Sequence, residues 1–354
     1  MKRCKRLKSD LPKLLDCVIS YIFSKLSLKD SVKTCTLSKR WLREWGFRMD
    51  LNFYFHNMFD FDFPNMSEFD DNTMQKLLES LPPFESEFYT RLDQFMLHYQ
   101  GTMISSIRLN FPLGDEHKDV VDRLITKGVA KGVKHIELLF SYTIGGTDFI
   151  LKLKPYKFSF TLLSHADSLT YLHLQNCHLV APMEFSGLKN LRTLVLHVVN
   201  VHQNLLQGLF SNCIHLVNMF LNDCKFKSDL KIISATLLHA TIYCGSRLQR
   251  KRNIEIIASN LSSFQYCFEN DYRGHTMNIK APMLTEFSYK SSHVSKPSEF
   301  FSGLKNVTMM KLIGLRECLQ NVVMPLLFSE CLQLKNVTFI LCWIKSDLNI
   351  INLI

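Results

Sequence analysis

The chain has 354 residues, 47% of them hydrophobic and 21% charged, a globular composition that excludes a largely disordered, collagen-like or bare coiled-coil protein. Its net charge is +10, with 13 basic and 5 acidic side chains in residues 1–50, 2 and 9 in 51–100, and 27 and 18 in 101–354. Over residues 101–354 that excess is diluted, which argues against nucleic acid as the main partner, because such binding needs a concentrated basic stripe.

Residues 1–10 form a basic tail. Lys2-Arg3-Cys4-Lys5-Arg6 fits a nuclear import patch or a plain solubilising end. It leads into no long apolar segment, and no run of eighteen apolar residues occurs anywhere. The expectation is an intracellular protein of the nucleus and/or cytoplasm, with reduced thiols. Eleven cysteines are present, none in a C-x-x-C pair.

Residues 11–50 read as a small helical unit. Leu15, Val18, Ile19, Ile22, Phe23 and Leu26 recur three and four apart, along one stripe of a helix. Ser27 and Asp30 can cap a second helix, and a third carries Trp41 and Trp45. So short a unit cannot bury a stable core alone, so it must dock on the chain or hold another protein. Leu11-Pro12, Val18 to Leu26, Lys29-Asp30 and Leu37-Ser38-Lys39-Arg40-Trp41 together resemble an F-box, in the form common in plants. The resemblance implies a three-helix motif that binds a Skp-type adaptor and, through it, a cullin in a ubiquitin ligase. The adaptor contacts carried over are Leu11, Pro12, Val18, Ile19, Ile22, Phe23, Leu26, Asp30, Leu37 and Trp41. The pattern departs at its start, where Leu11-Pro12 stands three residues further from Asp30 than in the family.

Residues 51–100 are acidic and aromatic and are expected to be a linker. Asn52–His56 alternates as a short strand does, Met74–Leu81 reads as a short helix stopped by Pro82-Pro83, and Leu92–Leu97 fits a strand or a helix.

Residues 101–354 repeat. Leu169-Thr-Tyr-Leu172-His-Leu174-Gln-Asn-Cys177-His-Leu179 matches L-x-x-L-x-L-x-x-[NC]-x-L, the leucine-rich-repeat pattern. Copies start at Leu216 and Leu334, and weaker ones at Ile104, Val133, Leu191, Leu237, Leu261, Leu284 and Val307. About ten strands are therefore expected. A larger duplication relates 184–234 to 299–352: Phe185–Asn190 recurs at Phe301–Asn306, and Lys227–Leu230 at Lys345–Leu348. The last strand is expected to lack a proper cap.

One repeat cannot bury its own leucines, but a stack builds a continuous core with one short parallel strand per repeat. Strand side chains alternate, so the residues between the leucines line a concave face. Tyr171, His173, His197, Phe220, His239 and Tyr243 are the target-binding candidates on it, with aromatics as anchors. Cys177, Cys224 and Cys342 recur where the chain leaves the strand, as small core residues do, and can bond to neighbouring backbone.

The chain reads as α/β: a small N-terminal helical F-box followed by a leucine-rich-repeat solenoid with a concave parallel sheet. No metal-ligand spacing, phosphate loop or nucleophile motif is present. No catalytic residue, metal or cofactor is expected, and the protein is not expected to be an enzyme. The combined resemblance, to plant F-box proteins with leucine-rich repeats, implies the substrate-recognition subunit of a cullin-RING (SCF-type) ubiquitin ligase. Its target is an unknown protein. A repeat scaffold with a vestigial F-box is the alternative. A nucleic-acid-binding repeat protein is third, motivated by the charge and by Arg247–Arg252.

Overall fold

The computed structural model describes residues 49–59, 71–99, 101–144, 147–149, 154–180, 187–245, 253–268, 276–290, 297–313, 324–342 and 348–353. It also describes the single positions Val18, Tyr21, Ile22, Lys25, Leu26, Asp30 and Lys33. One sheet runs through the molecule in chain order. Its strands are β1 (Asp50–Tyr54), β2 (Ser106–Asn110), β3 (His135–Leu139), β4 (Tyr171–Gln175), β5 (Thr193–His197) and β6 (Asn218–Asn222). They continue as β7 (His239–Cys244), β8 (Ser263–Phe268), β9 (Glu286–Lys290), β10 (Met309–Ile313), β11 (Asn336–Cys342) and β12 (Leu348–Leu353). Strands β1 to β11 pair in parallel. Each of the ten from β2 to β11 begins two residues after an expected repeat start.

The alternation sets which residues face the core. Leu172, Leu174, Leu194, Leu196, Met219 and Leu221 are fully buried, each worth about 1.5–3 kcal/mol over exposure. Side chains at fixed places in the repeat then tie neighbours together. The Thr170, Ser262, Thr285 and Thr308 hydroxyls donate to backbone carbonyls of the preceding repeat, at 3.0–3.2 Å. Asn190, Asn260 and Asn306 donate side-chain amides in the same direction, to the carbonyls of Asp167, Ala235 and Pro282. The chain leaves three successive strands through a left-handed residue: Asn176 (φ 53°), Val198 (φ 53°) and Asp223 (φ 49°). Asn and Asp tolerate this conformation, whereas a β-branched valine is strained in it.

The 51–100 segment, expected as a linker, supplies the edge strand β1 and helix α1 (Asp71–His98). Its aromatics close the end of the solenoid. Phe53 meets Phe95 edge-on at 5.2 Å, Phe59 meets Phe84 at 5.4 Å, and Phe88 stacks on Phe111 at 4.2 Å. Such aromatic pairs add to the area they bury, and they cover leucines that an end repeat would expose. The expected stop at Pro82-Pro83 does not occur, since α1 continues to His98. Burial of Phe88, Leu92, Phe95 and Met96 offsets the two donors that the prolines lack. Nor is the last parallel strand bare: β12 runs back antiparallel along β11 from Val337 to Cys342.

The convex side holds helices α2 (Lys118–Ala130), α3 (Gln203–Asn212), α4 (Pro297–Ser302) and α5 (Met324–Glu330). A small parallel sheet of Leu230–Ile233, Asn253–Ile257 and Thr276–Lys280 lies there too. The Gln203 amide covers its edge, donating to the Lys231 carbonyl at 2.7 Å and accepting from the Lys231 N–H at 3.1 Å. No helix among the described residues is long and apolar enough to cross a membrane.

Candidate functional site

Register sets the concave face out in three rows. The first runs His135, Tyr171, Thr193, Asn218, His239, Ser263, Glu286. The second runs Arg108, Glu137, His173, Val195, Phe220, Thr241, Gln265, Ser288, Lys311. The third includes Gln175, His197, Asn222, Tyr243, Cys267 and Lys290. All six target-binding candidates thus fall on this face, over the four adjacent strands β4 to β7. None is fully buried, and His239 is the most open of them. Two residues between them are buried instead of exposed: Val195 and Gln175.

Toward β2 the face is bound to itself. Glu137 accepts from His135 Nε2 at 2.7 Å and pairs with Arg108 Nε at 3.1 Å. The His135 hydrogen bond, then the Arg108 charge, hold its carboxyl below the ordinary value against the opposing cost of burial. The His135 ring stacks on Tyr171, with centroids 4.0 Å apart and planes 3° apart. Next to Glu137, His173 Nε2 is buried without a hydrogen-bond partner. Burial pushes the His173 pKa down to about 4, so the ring is neutral at physiological pH. Arg108, His135 and Glu137 are missing from the sequence candidates, yet the starts at Ile104 and Val133 carry the signal. Alternation counted from them puts these three side chains outward.

Toward β11 the face opens into a concavity of about 520 Å³, within the usual range for ligand sites. Thr241, Gln265, Ser288, Lys311 and Thr338 cross its floor, with Lys290 and Glu286 on either side.

Elsewhere, Glu85, Glu116 and His117 bring their ligand-type atoms within 4.8 Å of one another. His117 Nε2 lies 3.1 Å from Glu85 Oε1, joining α1 to the turn before α2. Glu116 is exposed, and the group acts as a polar bracket between those elements. Cys177, Cys213, Cys224, Cys244 and Cys331 are buried. The Cys224 thiol donates to the Leu196 carbonyl at 3.2 Å, the cross-repeat bond its place in the motif predicts. Burial raises the Cys177 and Cys224 thiols and pushes Cys213 up to about 12, so they are poor nucleophiles.

Of the adaptor candidates, Val18, Ile22, Leu26 and Asp30 are described. Leu26 N–H bonds to the Ile22 carbonyl at 3.1 Å in a helical turn, and its side chain packs on the main core. Val18 is exposed. Leu11, Pro12, Ile19, Phe23, Leu37 and Trp41 lie outside the described residues, as do Arg247–Arg252.

Ten strands in register in front of one buried apolar stripe, with the repeat spacing of the sequence, define a leucine-rich-repeat solenoid. The chain belongs to the family whose model is described as "At1g61320/AtMIF1, LRR domain", which matches residues 96–354. It is similar to the "Putative FBD-associated F-box protein At1g61330" of Arabidopsis thaliana, 25% identical over 305 residues, covering 82% of this chain and 57% of the relative. The "Putative FBD-associated F-box protein At5g44940" of the same plant is 28% identical over 218 residues, covering 62% and 48%. The "F-box/FBD/LRR-repeat protein At1g78750", also from Arabidopsis thaliana, is 26% identical over 215 residues, covering 60% and 41%. The chain spans about half the length of the curated relatives it matches. All three relatives carry the F-box name, and the third carries the leucine-rich-repeat name as well.

Proposed function

We propose that this protein is the substrate-recognition subunit of an SCF-type ubiquitin ligase. Residues 11–50 hold a Skp-type adaptor and through it a cullin, and the concave face over β4 to β7 holds a target protein. The subunit transfers nothing itself; it supplies proximity, and it works in the nucleus and/or cytoplasm. The observation carrying this reading is the concave face. Six polar and aromatic side chains lie together on four adjacent strands, in a chain that opens with an F-box-like sequence and whose relatives bear that name.

The test is co-purification with a plant Skp-type adaptor. Because β1 starts at Asp50, the comparison deletes residues 1–48 and leaves the sheet whole. Stoichiometric capture by the full chain that the deletion abolishes, with the circular dichroism of the array unchanged, is expected. No capture by a folded full chain overturns the adaptor role. It favours the scaffold reading, which the three-residue displacement of Leu11-Pro12 already motivates.

A further inference from the structure

We infer that the concave face holds its target by an uncharged segment, whose aromatic or aliphatic anchor seats at Phe220. The inference rests on the proposal that this face holds the target, and it names the chemistry of what is held.

Charge and register carry it together. Strands β4 to β8 present three outward positions each, fifteen in all, and none of them is Asp, Glu, Lys or Arg. With 21% of the chain charged, about three charges would fall there if the strip had the composition of the whole. The same repeats do carry charge off the face, where Lys189, Arg192, Lys225 and Asp229 are all exposed. On the face itself, charge resumes only beyond both borders of the strip. Arg108 and Glu137 pair with each other on β2 and β3, and Glu286 and Lys290 stand on β9. Charge depletion with aromatic side chains retained is the composition of an interface core. Phe220 lies in the middle row, next to the buried Val195 in register, with Tyr243 on the following strand one row on. Around it Asn222, Thr241 and Gln265 carry both donors and acceptors, which a peptide backbone can use. The His173 ring is neutral and adds no charge. A charged side chain laid on the strip would lose water and meet no counter-charge. The four inter-strand steps of about 4.8 Å span about 19 Å, which about six extended residues cover.

The test pans a random dodecapeptide library displayed on phage against the full chain. The selected peptides are then titrated at about 50 and about 500 mM NaCl. They are expected to be poor in Asp, Glu, Lys and Arg and rich in aromatic and aliphatic residues, with affinities equal within about twofold at the two salt concentrations. Phe220→Ala should weaken them about tenfold. Thr241→Asp and Thr241→Lys put opposite charges at one position of the middle row. Both should weaken an uncharged segment, by about tenfold, whereas a charged segment would be weakened by one and strengthened by the other. Lys189→Glu with Lys305→Glu, at two exposed positions off the face, should stay within about twofold of the parent. Urea midpoints equal to the parent's establish that the variants fold. If the Thr241 variants unfold, Gln265→Asp and Gln265→Lys replace them, at an exposed position on the next strand.

The uncharged segment is overturned by selected peptides with charged centres, by a loss of more than about threefold in high salt, by opposite responses to the two Thr241 variants, or by no selection at all. A loss with Phe220→Ala in any of those cases leaves the target face standing without this chemistry. Peptides indifferent to every concave-face variant would bring down the reading of the face itself.

Discussion

Over β2 to β5 the polar side chains of the concave face bind one another, whereas over β7 to β11 they surround an open concavity. The backbone is the same in both regions: parallel strands in register, with alternate residues outward. The difference comes from which residues the register brings together. Glu137 lands between Arg108 and His173 and His135 lands on Tyr171, so charge and aromatic surface are used up within the fold. Ser288 and Gln265 land beside Lys311 and Thr241, and among the described residues no ion pair joins Lys311 to Glu286. One repeat pattern can therefore build a rigid support at one end of a face and a receptive surface at the other.

The largest expected effect breaks the closed half by pH. His173 has its folded pKa depressed from 6.5 to about 4. The unfolded chain takes up that proton first, so the stability tied to the neutral ring is complete above pH 6.5 and is lost as pH falls toward 4. The loss is about 3 kcal/mol. In His173→Leu that part of the acid sensitivity should vanish, read from urea midpoints between pH 7 and 4. Equal slopes in parent and variant would mean that His173 is hydrated and the closed half is open after all.

A smaller effect compares two glutamates at pH 7. Glu137→Ala removes the partner of both Arg108 and His135 and should cost about 1–2 kcal/mol, discounted because Arg108 is half exposed. Glu286→Ala should fall within about 0.5 kcal/mol of the parent. Because the Glu137 carboxyl titrates below 4.5 in the folded state, its cost should shrink as the pH drops through that range. Similar costs at the two sites would erase the contrast between the halves.

The smallest effect sharpens the picture of the closed half. Val198 sits left-handed at the exit of β5, where the neighbouring repeats carry Asn176 and Asp223. Val198→Asn should relieve that strain and stabilise the chain by about 1 kcal/mol, measured by chemical denaturation.

The strand array was legible because an apolar residue at the fourth and sixth places of each repeat is both a spacing and a burial pattern. Even the weak copies at Val133 and Val307 fix their strands. The concave candidates followed from alternation alone. What stacking creates was harder to read. Arg108 and Glu137 are 29 positions apart in sequence and meet only once two repeat starts are aligned. The phenylalanines of 53–59 looked like linker aromatics because their partners, Phe84, Phe88 and Phe95, lie across a segment whose prolines argue for a break. Lys227–Leu230 and Lys345–Leu348 are the same four residues, yet the first leads into the small convex sheet and the second into β12. Short sequence identity does not choose a strand's partner; the available neighbour does.

The hydroxyl and amide bonds between successive repeats have a mechanical consequence. Thr285 and Thr308 sit 23 residues apart, and the bond between them is one rung along a single margin of the sheet. Tension applied at the chain's ends loads such rungs one after another. The solenoid should yield as a zip does, repeat by repeat, each release adding about 80 Å of extended chain. A target held across several strands would bridge rungs that otherwise fail separately, and would act as a clasp on the array that carries it.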